Sequence, residues 1–216
     1  MTPGIEDVRK FYDDWVGHLS RETARHRDVY RLLDLYTPPP PCSILDIGCG
    51  TGLTSRHMAL GGRSVVAVDL SPVLIDYAKR HNDGLGIEYV CADITTWQDD
   101  RKFDCVTMVD SLEHIIPSAV PGLMSVLSRA SHDNTMAIVH VPHHRWLSFV
   151  NGRGTNQPVN ELWTMGDIET TFASAGFVPY FFKVDRPDYM LFILVREERF
   201  YDAYRFWEPK LEGEGR

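Results

Sequence analysis

The sequence is poor in features that mark several protein classes. It has four cysteines (Cys42, Cys49, Cys91, Cys105) and no CxxC pair among them. Thiols scattered singly along strand-like segments read as small buried hydrophobes in a reducing compartment, so neither a disulfide frame nor a structural zinc site is expected. No apolar run approaches the roughly 18 residues that cross a bilayer, so no membrane insertion is expected. The opening Met1-Thr2-Pro3-Gly4-Ile5-Glu6-Asp7 has no basic region and no apolar stretch. No secretory leader is therefore expected, and the cytoplasm is the expected compartment. Basic charge is scarce, with Lys+Arg at 22 against Asp+Glu at 30 and a net charge of −8. No basic stripe is visible, which disfavours nucleic-acid binding by phosphate neutralisation. Repeats and low-complexity tracts are missing too. What remains is an ordinary globular composition, 44% hydrophobic and 24% charged over 216 residues. That is enough apolar surface to offset the entropy of ordering.

Helix-like and strand-like segments alternate almost from end to end, which points to an α/β sheet fold. Ile5, Val8, Tyr12, Trp15, Val16 and Leu19 recur at helical spacing over residues 5–19. A second helix is expected from Arg21 to Tyr36 with Ser20 as its N-cap. Pro38-Pro39-Pro40-Pro41 cannot continue it and reads as a stiff boundary between an N-terminal helical cap and the main domain. Strands are expected at Ser43–Ile47, Ser64–Val68, Ile87–Cys91, Phe103–Val109, Met136–Val141, Phe177–Val184 and Tyr189–Val195. Helices are expected at Thr54–Leu60, from Pro72 to about His81, at Ser118–Ala130, and from a Thr164 cap to about Ala175. Residues 142–163 show no period and are expected to be irregular; such a stretch inside a compact domain is often functional. Asp185-Arg186-Pro187-Asp188 reads as a turn, and so short a link permits only an antiparallel pair. The expected layout is one domain over 1–216, made of a cap (1–41), a core (43–197) and a C-terminal helix (198–216). Phe200, Tyr204 and Trp207 would form an aromatic stripe on that last helix.

The most specific segment is Ile44-Leu45-Asp46-Ile47-Gly48-Cys49-Gly50-Thr51-Gly52, a strand entering a glycine turn that opens a helix. Glycines there let the chain turn sharply and let a ligand approach the main chain. Asp69, at the end of the next strand, suits both hydroxyls of a ribose. The spacing is GxGxG, not the GxGxxG of dinucleotide enzymes. Asp46 would repel a pyrophosphate and instead suits a ligand bearing an ammonium or sulfonium. Asp93, after the third strand, can accept from an adenine amino group. A cationic nucleoside without phosphate meets all three conditions, and S-adenosylmethionine is one.

The segments ILDIGCGTG, VVAVDLSPVLIDYAK, CADI and FDCVTMVDSLEHI resemble the ordered motifs of the class I S-adenosylmethionine-dependent methyltransferases over about Ser43 to Ile115. WTMGDIETTFASAGF (Trp163–Phe177) is similar to the family's late helix. The resemblance implies a Rossmann-like, doubly wound seven-stranded sheet of order 3-2-1-4-5-7-6 with strand 7 antiparallel. It also implies that Asp46, Gly48 and Gly50 contact the methionine end of the cofactor. Asp69 would hold the ribose, Leu70 would pack on the adenine, and Asp93 and Ile94 would grip the adenine edge. Asp110 and Ser111 would sit beside the sulfonium. A cap helix often closes over the cofactor in this family, and Tyr12 is the expected cofactor-facing hydroxyl.

Methyl transfer from a sulfonium is an in-line displacement that leaves a neutral thioether, S-adenosylhomocysteine. The protein must align the reactants, exclude water and, for a hydroxyl acceptor, supply a base. His114, His140, His143 and His144 are the candidate bases. His-x-x-His-His could also be read as a metal site, but its strand-to-loop placement lacks helical-pair geometry, so no metal is expected. Trp146, Phe149 and Trp163 are expected to wall an acceptor pocket, with Arg145 and Arg153 able to pair with an acceptor anion. The expected acceptor is a small molecule methylated on oxygen, and the expected assembly a monomer or homodimer. The alternatives are N- or C-methylation, methylation of a protein or peptide carboxylate, a nicotinamide-dependent oxidoreductase, and a silent cofactor-binding module.

Overall fold

Val65, Val66, Ala67 and Val68 leave no polar face on their strand, and Cys105, Val106, Thr107 and Met108 repeat the pattern. Runs that are apolar on both sides belong in the middle of a sheet covered on both faces. The computed structural model, which describes residues 3–154 and 157–196, puts them there. Helices α1 (Ile5–Asp14), α2 (Val16–Leu19) and α3 (Ala24–Tyr36) come first. Then follow β1 (Ser43–Ile47), α4 (Leu53–Leu60), β2 (Ser64–Asp69), α5 (Pro72–His81), β3 (Glu88–Cys91) and β4 (Phe103–Val109). Two 3-10 turns (Leu112–His114, Pro117–Ala119) lead into α6 (Val120–Arg129) and β5 (Ser131–Pro142). The last elements are α7 (His144–Gly152), α8 (Met165–Ala173), β6 (Phe177–Asp185) and β7 (Tyr189–Arg196).

The strands form one sheet of order β3-β2-β1-β4-β5-β7-β6. Strands β1 to β5 are mutually parallel, and β7 runs antiparallel to both β5 and β6. The expected order and the reversed seventh strand are both present. Because side chains alternate along a strand, each face takes every second residue. One face sets Leu45, Val66, Val106 and Val139 against α6 and α8 through Leu123, Leu127, Ile168 and Phe172. The other sets Ile44, Val65, Cys105 and Ile138 against α3, α4 and α5 through Leu33, Met58 and Ile75. The parallel strands all end on one edge, where crevices in open α/β sheets bind ligands.

Several boundaries differ from expectation for local reasons. The first helix breaks at Trp15 into α1 and α2. Helix α3 starts at Ala24 rather than Arg21, and Thr23 replaces Ser20 as its cap, because the Thr23 amide donates to His26 Nδ1 at 3.0 Å. Strand β5 begins at Ser131, five residues early, through a register shift against β4. Residues 142–163 are not wholly irregular: they contain α7, capped by His143, whose side chain accepts from the Arg145 amide at 3.2 Å. That helix buries only Leu147, so its sequence shows no period. Ser71 and Thr164 cap α5 and α8 as expected. Strand β6, at one edge, carries Pro179 and a register shift between Pro179 and Phe181. The expected C-terminal helix, with Phe200, Tyr204 and Trp207, lies outside the described residues. No described helix is long and apolar enough to cross a membrane.

Gly122 lies inside α6, where alanine would ordinarily stabilise by about 1 kcal/mol. A Cβ there would overlap the Thr95 carbonyl oxygen. Gly122→Ala is therefore expected to destabilise the fold by about 1–3 kcal/mol, the usual cost of overpacking. Urea denaturation checks this, and a rise in stability would contradict the close approach of α6 to the loop after β3.

Candidate active site

The glycine loop folds back because the Gly48 and Cys49 amides both donate to Val68 O, at 2.8 and 3.2 Å. Gly48 has φ +71°, and a Cβ there would overlap Cβ of Ser111. A side chain is thus excluded by conformation and by space. Gly50 also has positive φ but meets nothing within 4 Å where a Cβ would stand. Its amide donates 2.8 Å to Asp69 Oδ2, while the Ser71 amide donates 2.9 Å to Oδ1. Burial pushes the Asp69 carboxyl up, against the pull of those two amides.

Around this loop lies a cavity partly open to solvent. Gly48, Gly50, Asp69 and Leu70 line it beside Asp93 and Ile94, with Asp110, Ser111 and His114 further along the sheet edge. Tyr12 reaches it from α1 in the cap. Asp93 accepts from Thr95 N and Oγ1, both at Oδ1 (2.9 and 2.7 Å). Ser111 Oγ donates 2.9 Å to Ile47 O and so ties the end of β4 to β1. Tyr12 OH accepts from Gln157 Nε2 at 3.4 Å, and its ring centroid lies 5.3 Å from that of His114.

Asp46 is the expected cofactor contact that the structure places elsewhere. It is buried behind the loop, and no part of it lines the cavity. Its register partner on β4 is Thr107, whose hydroxyl donates 2.8 Å to Oδ1. Thr54 and Ser55, in the first turn of α4, donate 3.0 and 2.6 Å to Oδ2. Burial raises its pKa against the pull of these hydroxyls. Asp46 therefore knots strand, loop and helix together, and its charge acts on the cavity at one remove.

Only one of the four candidate histidines faces the cavity. His140 is 1% exposed. Its Nδ1 sits 2.7 Å from Asp110 Oδ1 and its Nε2 3.7 Å from Asp185 Oδ2. Its ring stacks on Tyr189 at 4.8 Å. Burial alone would lower its pKa, but the charge and hydrogen bond of Asp110, then Asp185, raise it to about 9. A buried histidine already protonated at neutral pH cannot serve as a base there. His143 is occupied as the cap of α7, and His144 stacks on it at 4.5 Å; neither lines the cavity. His114 does line it. Its Nδ1 lies 2.9 Å from Val159 O, and a carbonyl only accepts, so Nδ1 carries the proton and Nε2 the lone pair. Burial lowers its pKa, against the opposing effects of that carbonyl and Asp110.

Three ionisable groups, Asp110, Arg25 and Glu113, surround this end of the site. Asp110 has φ +52°, unusual for a residue with a side chain. It is held by its amide on His140 O at 2.8 Å, by His140 Nδ1, and by Arg25 Nη1 on Oδ2. Burial alone would raise its carboxyl, but His140 and then Arg25 hold it below the ordinary range. Arg25, from α3, also donates 2.8 Å to the Tyr189 hydroxyl. Glu113 is 2% exposed, and burial followed by the negative charge of Asp110 pushes its carboxyl up to about 8. None of the expected pocket walls takes that role. Trp146 and Phe149 are exposed on α7, with Arg153 4.3 Å over the Phe149 ring, while Trp163 packs into the core. Neither Arg145 nor Arg153 reaches the cavity. Among the described residues, no group of three His, Cys, Asp or Glu side chains is placed to hold a metal ion.

A family model described as a methyltransferase domain matches residues 44–134. The chain is 44% identical over 75 residues to a ubiquinone biosynthesis O-methyltransferase from Coxiella burnetii, covering 33% of this chain and 32% of the relative. It is 35% identical over 123 residues to the mitochondrial enzyme of that name from Schizosaccharomyces pombe, covering 51% and 44%. It is 36% identical over 121 residues to a magnesium-protoporphyrin O-methyltransferase from Rhodobacter capsulatus, covering 52% and 53%. The matches thus span about a third to a half of these relatives' length. Among solved structures, a TehB-like S-adenosylmethionine-dependent methyltransferase from Corynebacterium glutamicum superposes with TM-score 0.63 at 20% identity, covering 89% of this chain and 100% of that one. An S-adenosylmethionine-dependent methyltransferase from Clostridium acetobutylicum gives 0.65 at 16% identity, covering 87% and 98%. At such identities the structures share the fold.

The raised pKa of His140 makes stability depend on pH. A histidine held at about 9 against an ordinary 6.5 contributes stability that is fully present below 6.5 and is lost as pH rises through 9. The folded protein is expected to lose on the order of 3 kcal/mol across that window. His140→Gln should be less stable at pH 6 and should flatten this slope. Denaturation at pH 6, 7.5 and 9.5 checks it; a parallel slope in both proteins would show that His140 is not charged in the fold.

Proposed function

The chain belongs to the class I S-adenosylmethionine-dependent methyltransferases, and on that premise we propose that it methylates a hydroxyl oxygen of a small molecule, with His114 as general base. The observation that carries this reading is the His114 tautomer. With Nδ1–H committed to the Val159 carbonyl, Nε2 is left as a lone pair at the cavity wall.

The residues present fit the cofactor. Gly50 leaves open space where a side chain would stand, and the amides of the loop face no competing carboxylate from Asp46, which is turned away. The backbone at Gly48 and Gly50 would take the methionine end, and Asp69 the ribose hydroxyls. Leu70 and Ile94 would flank the adenine, and Asp93 would accept from its amino group through Oδ2. Tyr12 would close the site from the cap. S-adenosylmethionine bound there would supply a methyl group on a sulfonium that departs as a neutral thioether, so no acid is required.

The remaining task is to remove the acceptor proton. Nε2 of His114 takes it, and the lowered pKa keeps the ring neutral and ready at pH 7. Glu113, whose Oε1 is 3.7 Å from Nε2, is mostly protonated near neutrality, so it does not draw a proton onto the ring beforehand. Apolar Ile115, Ile116 and Ala119 on the same wall limit water around the reacting oxygen. The O-methyltransferase names of the relatives support oxygen as the acceptor atom. Four unpaired cysteines, three of them buried, suit a reducing cytoplasm.

Release of S-adenosylhomocysteine from hydroxyl-bearing acceptors tests the proposal. His114→Ala is expected to lower kcat by about 10²–10⁴-fold, while thermal stabilisation by S-adenosylhomocysteine persists. His143→Ala and His144→Ala should stay within about twofold of the parent, as surface changes usually do. The base must be unprotonated to act, so in the parent protein the acid limb of kcat should lie below pH 6.5, the ordinary value from which His114 is lowered. Near-parental turnover in His114→Ala, or a product methylated on nitrogen or carbon, would sink the assignment.

A further inference from the structure

Among the described residues that line the cavity, Arg25 is the sole lysine or arginine. Both of its hydrogen bonds leave from Nη1, one to Asp110 Oδ2 and one to the Tyr189 hydroxyl. Its guanidinium carbon stands 5.3 Å from the Tyr189 ring centroid, so one face of the group rests on an aromatic surface. The opposite edge, Nε with Nη2, has two parallel N–H donors and makes no hydrogen bond with the described residues. That edge matches a planar oxyanion in a two-bond fork.

The charge count at this end of the cavity favours an incoming anion. Asp110 divides one negative charge between two cations, with Oδ1 on His140 and Oδ2 on Arg25. Behind His140 comes Asp185 at 3.7 Å, and Asp185 is shared in turn with Lys183 at 3.2 Å. The string therefore alternates Arg25, Asp110, His140, Asp185, Lys183, with a cation at each end. Lys183 is half exposed and meets solvent; Arg25 is 30% exposed and meets the cavity. The other acids of the cavity, Asp69 and Asp93, end β2 and β3. In a sheet of order β3-β2-β1-β4 they lie two and three strands away from Asp110. At ~4.8 Å per strand that is roughly 10 and 14 Å. Glu113, beside His114, is pushed up to about 8 and is mostly protonated near neutrality, so this end of the cavity carries one more positive charge than negative.

We propose that Arg25 anchors the acceptor through Nε and Nη2, and that the acceptor is a hydroxy compound carrying a carboxylate. The carboxylate lies in the fork while the hydroxyl faces His114 Nε2, and the apolar body rests on Ile115, Ile116 and Val29. No bond to the anchored group forms or breaks: the hydroxyl proton goes to Nε2 and the methyl group to the hydroxyl oxygen. This inference rests on the methyl-transfer reading above and names the class of its acceptor.

The test offers the protein matched pairs that differ only in carboxylate against primary amide, hydroxybenzoates with hydroxybenzamides and aliphatic hydroxy acids with their amides. Release of S-adenosylhomocysteine is the readout. Acids should be preferred by at least about tenfold in kcat/KM, as expected for a charge-assisted pair. Arg25→Ala should reduce kcat/KM for the best acid by about 10–100-fold, mainly through KM, and bring the acid-to-amide ratio close to one. Arg25→Lys keeps the charge but not the fork, so it should restore part of the preference; it also serves if Arg25→Ala loosens the cap. Turnover of amides as good as that of acids overturns the proposal. So does an acid-to-amide ratio unchanged in both variants, or a panel in which no acid is used. In each of these cases, binding of S-adenosylhomocysteine to the parent protein leaves the cofactor reading standing. Failure of the parent to bind it defeats the methyl-transfer reading and this inference together.

Discussion

One carboxylate, Asp110, must be shared between two cations that come from different elements of the fold. Arg25 arrives from the cap, on α3, and His140 from near the C-terminal end of β5. Neither cation tolerates burial alone, and neither has another carboxylate as close. Satisfying both requires the backbone at Asp110 to leave the usual region, with φ +52°. The strain is of order 1–3 kcal/mol for a residue other than glycine, and the surrounding contacts over-determine it. The same bend turns the chain out of β4 and delivers Ser111 and His114 to the cavity rim, with Glu113 buried beside them. The position of His114, the proposed base, therefore depends on an ion pair made by a residue four places earlier.

The cap is joined to the sheet by contacts of the same kind. Asp13 accepts 2.5 Å from Ser71 Oγ, and Thr51 Oγ1 donates 2.8 Å to Leu19 O. Arg186, in the turn before β7, donates 3.0 Å to Asp28. Each joins a cap helix to a loop at the sheet edge where the cavity opens. The described residues of 142–163 act on the same site without lining it: Val159 fixes the tautomer of His114, and Gln157 meets the hydroxyl of Tyr12.

What could be read from the chain depended on whether the signal was local. Valine runs revealed the central strands because their burial on both faces leaves no polar side. The glycine loop was legible because Gly48 and Gly50 answer to backbone geometry. Caps at Ser71 and Thr164 are short-range chemistry as well. Helix α7 was hidden because it buries Leu147 alone. Strand β5 was read short because Ser131 to Thr135 look polar, and it is pairing with β4 that extends it. The roles of the histidines could not be read locally: His140 owes its charge to Asp110 and Asp185, thirty and forty-five positions away. Arg25 meets Asp110 across 85 positions, with no motif around it. Asp46 was correctly singled out, but its three hydroxyl donors, one from another strand, turn it from a ligand contact into a structural knot.

The two ends of the sheet differ in how they stop. Strand β3 is four residues long and offers little to a neighbour. Strand β6 runs for nine, with Tyr180 64% exposed and Val184 48% exposed. Such a border would recruit a further strand from another chain if it were flat and regular. Pro179 removes an amide donor, the shift beside it breaks the repeat, and Lys183 places charge on the rim. The irregularity that looks like a flaw in the ladder is what lets a wide open sheet end in water instead of templating an aggregate.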